Sequence, residues 1–317
     1  MWQVHQRTVS VLGASLAVLF GMLLAGPAAA GAATGCRAVD TRDGAVHHRL
    51  QRAINHAASG DTLLVRGTCV GSFSVLTSLT LRGVPSGGSV RATLDGGGAG
   101  SVLMLAADNS VVLENLIVQH GFALDGGGID NQSDILTLRH TLVRHNRAQQ
   151  DGVGGGIYSN GSVILEHSSV QRNLAGLGGG IYSSLLTVLR HSTIAGNRAA
   201  TGAGGGIFSE FGETQLIDSS ISGNRATFSA GGMDIDGGFL VLAGSTTITG
   251  NTLINTSYPG AGGLGAFGDS SAKSADGTSA FVDWVTGAVL PAWTGSVSGN
   301  VPTDCYNGGG IFTIACG

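Results

Sequence analysis

The sequence predicts an all-β solenoid, a right-handed parallel β-helix with a short N-terminal capping helix. Two marks that recur in one register predict it, together with a composition rich in glycine and poor in charge. The first mark is a glycine block: Gly126-Gly127-Gly128-Ile129, Gly154-Gly155-Gly156-Ile157, Gly178-Gly179-Gly180-Ile181 and Gly204-Gly205-Gly206-Ile207. A degenerate copy follows at Ala230-Gly231-Gly232-Met233 and a weaker one at Ala261-Gly262-Gly263-Leu264. The second mark is a β-branched residue three places before an asparagine: Val143…Asn146, Val170…Asn173, Ile194…Asn197, Ile221…Asn224 and Ile248…Asn251. Glycine blocks start 28, 24, 26 and 26 residues apart, and the asparagines lie 27, 24, 27 and 27 apart.

Each repeat also carries apolar columns. Leu113, Leu138, Leu165, Leu189 and Leu216 hold one position, and Val118, Val143, Val170, Ile194, Ile221 and Ile248 another. One repeat cannot bury its apolar face alone, so the columns imply stacked coils about 4.8 Å apart. Glycines suit the tight corners, and the asparagines are expected to form a ladder in left-handed backbone at another corner. With 55 glycines but only five prolines and no G-X-Y period, collagen and proline-rich disorder are excluded.

The ends read differently. Residues 1–30 have a basic start at Arg7, an apolar run from Val11 to Leu24 and Ala28-Ala29-Ala30 as a cleavage site, the pattern of a signal peptide. The expected mature domain is 31–317, extracellular or cell-surface associated, with no transmembrane segment. Val46 to Ala58 is predicted as a helix with Leu50, Ile54 and Ala57 on one face, Asp43 as its cap and Gly60 as its stop. Strands are expected at Thr62–Arg66, Ser78–Arg82 and Val102–Leu105. The repeat is interrupted near 269–293, and the asparagine mark returns at Asn300, 49 residues after Asn251; that is the length of about two coils, and the segment between is read as one irregular coil with a loop thrown out. Gly308 to Phe312 is expected as a last strand.

Four cysteines in an exported chain suggest disulfides. Of the three possible pairings, the simplest is Cys36–Cys69 and Cys305–Cys316, one staple at each end. Ala33-Thr34-Gly35 before Cys36 fits a lipidation signal poorly. A formal net charge of −4 and one lysine, Lys273, leave little to build a nucleic-acid surface.

These marks resemble those of right-handed parallel β-helix proteins of the pectate-lyase-like superfamily. The repeat is similar to that of the chlamydial polymorphic outer-membrane proteins, with Val or Ile where those have Phe. The resemblance implies adhesion or the handling of polysaccharides. The polygalacturonase marks are absent, with only Gln119-His120-Gly121 near one of them, so no catalytic motif carries over.

If the isoleucine of each glycine block points inward, the next residue points out. That outward column reads Asp130, Tyr158, Tyr182, Phe208, Asp234. Two residues on it reads Gln132, Asn160, Ser184, Glu210, Asp236. Tyr158, Tyr182 and Phe208 form a candidate binding strip for a polysaccharide or a cell-surface partner. Glu210, Asp234 and Asp236 are the candidate acids for a lyase or glycoside hydrolase, or for holding Ca²⁺. No resident cofactor is expected. The bland reading is a purely structural envelope protein whose aromatics fill and whose acids solubilise. A second column, Asn115, His140, His167, His191, Asp218 and Ser245, is read as a structural ladder rather than a metal site. Arg147, Leu174, Arg198 and Arg225 follow the asparagines and are read as solvated turn residues.

Overall fold

A computed structural model describes residues 35–85, 90–257, 259–267, 271–275, 285–286, 288–308, 311–313 and 316. The expected signal peptide, its cleavage site and much of the interruption lie outside the described residues. Those described form a parallel β-solenoid whose strands line up in four sheets. One coil shows the plan. Ile157–Ser159 follows the glycine block, Ser162–Glu166 carries the leucine, Ser169–Gln171 carries the β-branched residue and Leu174–Ala175 follows the asparagine. Equivalent strands of successive coils pair in parallel, giving a glycine-block sheet, a leucine sheet, a β-branched sheet and a short sheet.

The inward columns make the core. Leu113, Leu138, Leu165, Leu189 and Leu216 pair in unbroken register. So do Val118, Val143, Val170, Ile194, Ile221 and Ile248. All are fully buried in one cluster, and each such side chain contributes about 1.5–3 kcal/mol of burial free energy.

The corners follow a rule that the marks reveal only in part. Between the leucine and β-branched sheets a residue adopts left-handed backbone: Asn115, His140, His167, His191, Asp218 and Gly244, with φ from 46° to 58°. A second left-handed residue precedes each asparagine: His145, Arg172, Gly196, Gly223, Gly250 and Gly299. The asparagines themselves are not left-handed, contrary to expectation. They are the internal ladder: Asn173 N and Nδ2 donate to Asn197 Oδ1 at 2.9 and 3.0 Å, and Nδ2 also donates to Val143 O. Asn146 through Asn251 repeat the pattern, ending on Asn300. In the glycine blocks only the first glycine is left-handed. At Gly156 a Cβ would lie 2.6 Å from Gly180 O and 2.9 Å from Asn173 Nδ2, so the block leaves room for the ladder.

The first corner has its own ladder, absent from the sequence reading. Thr141, Ser168, Ser192, Ser219 and Thr246 each accept a backbone N–H from the previous coil, at 3.1–3.4 Å. Ser245, expected in the histidine column, is instead an extra residue after Gly244.

The helix is shorter than expected. It spans Leu50–His56, and Leu50, Ala53 and Ile54 are its buried face. Val46–His47 is a strand that ends the leucine sheet, paired antiparallel with Arg37–Asp40, which in turn pairs antiparallel with Asp61–Arg66. Arg49, not Asp43, is the N-cap and makes no side-chain cap bond. Asp43 accepts from Ala45 N and meets His56 Nε2.

At the other end Asn251 bonds directly to Asn300, 49 positions on, so the chain between them makes one enlarged coil, as expected. Ser271–Ser274 is a regular strand of the leucine sheet. Leu290 packs on the outside of that sheet against Val188, Ile217, Val241, Ala243 and Ala275. Cys305–Gly308 joins the glycine-block sheet and Ile311–Thr313 the leucine sheet, where one last strand was expected. Disulfides link Cys36 to Cys69 and Cys305 to Cys316, Cα atoms 4.8 and 6.0 Å apart.

Candidate functional site

The outer face of the glycine-block sheet carries the candidate residues in register. Tyr158, Tyr182, Phe208 and Asp234 are neighbours on successive coils. Tyr158 and Tyr182 have ring centroids 5.6 Å apart, tilted by 32°. Tyr182 and Phe208 are 5.5 Å apart and stacked at 11°. All three rings are half-buried. Because they stack along the solenoid axis, their faces cover one another and their edges meet solvent. The candidate binding strip is therefore a stacked ladder with an aromatic rim.

Beside it runs a polar column. Asn160 Nδ2 donates to Gln132 Oε1 at 2.8 Å, Ser184 Oγ donates to Asn160 Oδ1 at 3.3 Å, and Tyr158 Oη donates to the same oxygen at 3.1 Å. Gln132 also donates to Asp130, whose pKa is raised by burial despite that bond, with Asp125 adding to the rise. Tyr182 Oη donates to Glu210 Oε2. Burial first, then the Glu210 bond and charge, push the Tyr182 pKa well above its usual value.

The three acids occupy one strand pair but not one environment. Glu210 and Asp236 are direct register partners and half-buried. Asp234, expected to face outward into solvent, is 1% exposed. Its neighbours in the column are Phe208 and Gly265, and the Phe267 ring closes over Gly265, where a Cβ would lie 3.0 Å from it. Burial pushes the Asp234 pKa up to about 6 against the opposing Ser229 hydroxyl and Ala230 amide, and the Asp236 charge adds to the rise. Its Oδ1 has no hydrogen-bond partner. Asp234 therefore cannot reach a ligand on this face. No ion pair to Glu210 or Asp236 occurs among the described residues. Adjacent like charges are unfavourable. The three acids do not bring three ligand atoms within 4.8 Å of one another.

One residue of this face escaped the sequence reading. Phe211, directly after Glu210, is 72% exposed and has φ of +55°. A bulky residue in that conformation is a backbone outlier. Its ring lies against Gly237 of the next coil, where any Cβ would overlap it. Leu185, at the equivalent place one coil earlier, is 52% exposed. The signal was Phe in a corner where polar residues or glycine are expected.

Residues 90–262 match the family model of the right-handed β-helix region. The chain belongs to the right-handed β-helix family. No curated protein and no solved structure matches it. In a right-handed β-helix with a filled core, ligands must meet the outer faces and corners. The other candidates on those surfaces have structural explanations. His140, His167 and His191 are exposed and stacked, with centroids 5.1 and 4.9 Å apart and planes within 11°. Arg147, Leu174, Arg198 and Arg225 are successive in the short sheet, and Arg147 lies over the Phe122 ring. Both disulfides fit an extracellular or cell-surface setting. No helix among the described residues is long and apolar enough to cross a membrane.

Proposed function

We propose that this right-handed β-helix is an extracellular protein that binds a polysaccharide on the corner formed by Leu185, Phe211, Glu210 and Asp236. The observation that carries the reading is Phe211. An exposed aromatic ring held in an unfavourable backbone conformation does nothing for the core, and it stands beside two carboxylates on adjacent strands. The Cδ1–Cε1 edge of the ring lies against Gly237, and its exposure leaves a face to stack on the C–H face of a sugar. Glu210 and Asp236 accept hydrogen bonds from sugar hydroxyls, and the Asn160–Gln132–Ser184 column extends the polar surface along the axis.

The test is a glycan array with purified protein, followed by binding curves for Phe211→Ala and for Glu210→Gln with Asp236→Asn. Phe211→Ala is expected to weaken binding about ten-fold or more, in line with loss of an anchoring aromatic, while thermal unfolding stays nearly unchanged. No glycan bound by the intact protein, or equal binding by Phe211→Ala, sinks the reading. Assays for new reducing ends and unsaturated uronates on the bound glycan test the catalytic alternative. That alternative needs Glu210 and Asp236 alone, since Asp234 is buried.

A further inference from the structure

The N-terminal cap gathers a second set of polar groups, far along the chain from the polysaccharide corner. Asp40 ends the strand Arg37–Asp40, Asp43 sits in the following turn and His56 closes the capping helix. One ligand atom from each lies within 4.8 Å of the other two, the one such gathering among the described residues. His56 Nε2 is 2.8 Å from Asp43 Oδ2.

Two buried atoms, one in this trio and one beside it, lack hydrogen bonds. Asp40 is 0% exposed; its Oδ1 accepts from Arg42 N, but its Oδ2 has no hydrogen-bond partner. His47 Nε2 is buried and equally without one, and the His47 ring is centred 5.2 Å from that of His56. Burying such groups without a hydrogen bond is costly, most of all a carboxylate oxygen. The local cation is Arg42, whose Nη2 stands 3.5 Å from both Asp40 Oδ2 and Asp43 Oδ2 while its Nε bonds Asp61 Oδ2. The one guanidinium thus serves three acids, which leaves net negative charge. Its side chain is 45% exposed, so a bound cation could displace the guanidinium toward solvent.

We propose that Asp40, Asp43 and His56 form a binding site for a divalent transition-metal ion of the Zn²⁺ class. Mixed imidazole and carboxylate donors suit that class, whereas Ca²⁺ takes six to eight oxygens. The ion would satisfy Asp40 Oδ2, take over the neutralising role of Arg42 and tie strand, turn and helix together at the open end of the solenoid. The histidine column is no rival of the same kind, because its rings stack face to face instead of converging.

The experiment uses the full secreted chain after chelator treatment, titrated with Zn²⁺ by calorimetry and with Co²⁺ by visible absorption. One ion per chain is expected. Asp43→Asn and His56→Gln should each weaken binding at least about ten-fold, as expected for loss of a ligand. Both side chains are at the surface, so the metal-free variants should unfold within a few degrees of the parent, and melting curves check this. The triple variant His140→Gln, His167→Gln, His191→Gln should bind as the parent does. Absence of binding, binding undiminished in Asp43→Asn and His56→Gln, or binding lost in the triple variant would each overturn the proposal.

Discussion

Asp234 is the residue whose chemistry most depends on its surroundings. Its folded pKa of about 6 lies above the ordinary 3.8, with burial as the main cause. The folded state therefore holds the proton more tightly than the unfolded state. The associated stability is fully present below about pH 4 and is lost as pH rises through about 6. A shift of this size corresponds to about 3 kcal/mol. Asp234→Asn should remove that loss, so urea midpoints of variant and parent should diverge between pH 4 and 7, with the variant the more stable at pH 7. Parallel curves would mean that Asp234 ionises without penalty. Arg172 makes a second case. It is exposed with φ of +54° at a corner that later coils assign to Gly196, Gly223 and Gly250. Arg172→Gly should relieve left-handed strain and raise the urea midpoint by about 0.5–1 kcal/mol equivalent, with an unchanged slope.

Among the elements, two internal ladders link the coils alongside the apolar columns. Asn197 accepts from Asn173 N and Nδ2 and donates to Val170 O and Asn224 Oδ1. Asn197→Ala would leave several of these groups buried and unpaired, each costing about 1–3 kcal/mol. A loss of at least about 3 kcal/mol is expected in chemical denaturation; a loss under about 1 kcal/mol would show that water replaces the amide. The asparagine ladder was legible because one residue type holds one position through five coils. The hydroxyl ladder was not, because Thr and Ser share it and are ordinary turn residues; its signal was their place directly after His140, His167 and His191. Columns of the glycine-block sheet were legible for the same reason as the asparagines. Asp234 could be placed in its column but its burial could not, since that depends on Gly265 and Phe267 one coil later, where the repeat has degenerated. Phe211 lies one step beyond the regular column, and the Asp40–Asp43–His56 cluster joins three elements whose spacing follows no repeat.

For the whole molecule, stacking makes stability close to one-dimensional, with each coil supported by its neighbours and the ends exposed to fraying. The N-terminal end is closed by the antiparallel strands, the helix and the Cys36–Cys69 disulfide, which spans 33 residues. Those closures also shield strand edges that would otherwise pair with other chains. Loop-closure entropy assigns that disulfide about 4 kcal/mol. Replacing both cysteines by serine should therefore do more than lower the overall denaturation midpoint. Hydrogen exchange should accelerate first in Arg37–Asp40, Asp61–Arg66 and Thr68–Val70, while Ile181–Ser183 and Thr187–Arg190 at the centre keep the parent's protection. A uniform rise in exchange along every sheet would instead show that the coils unfold as one unit, and that the end closure holds the entire stack rather than its first coils.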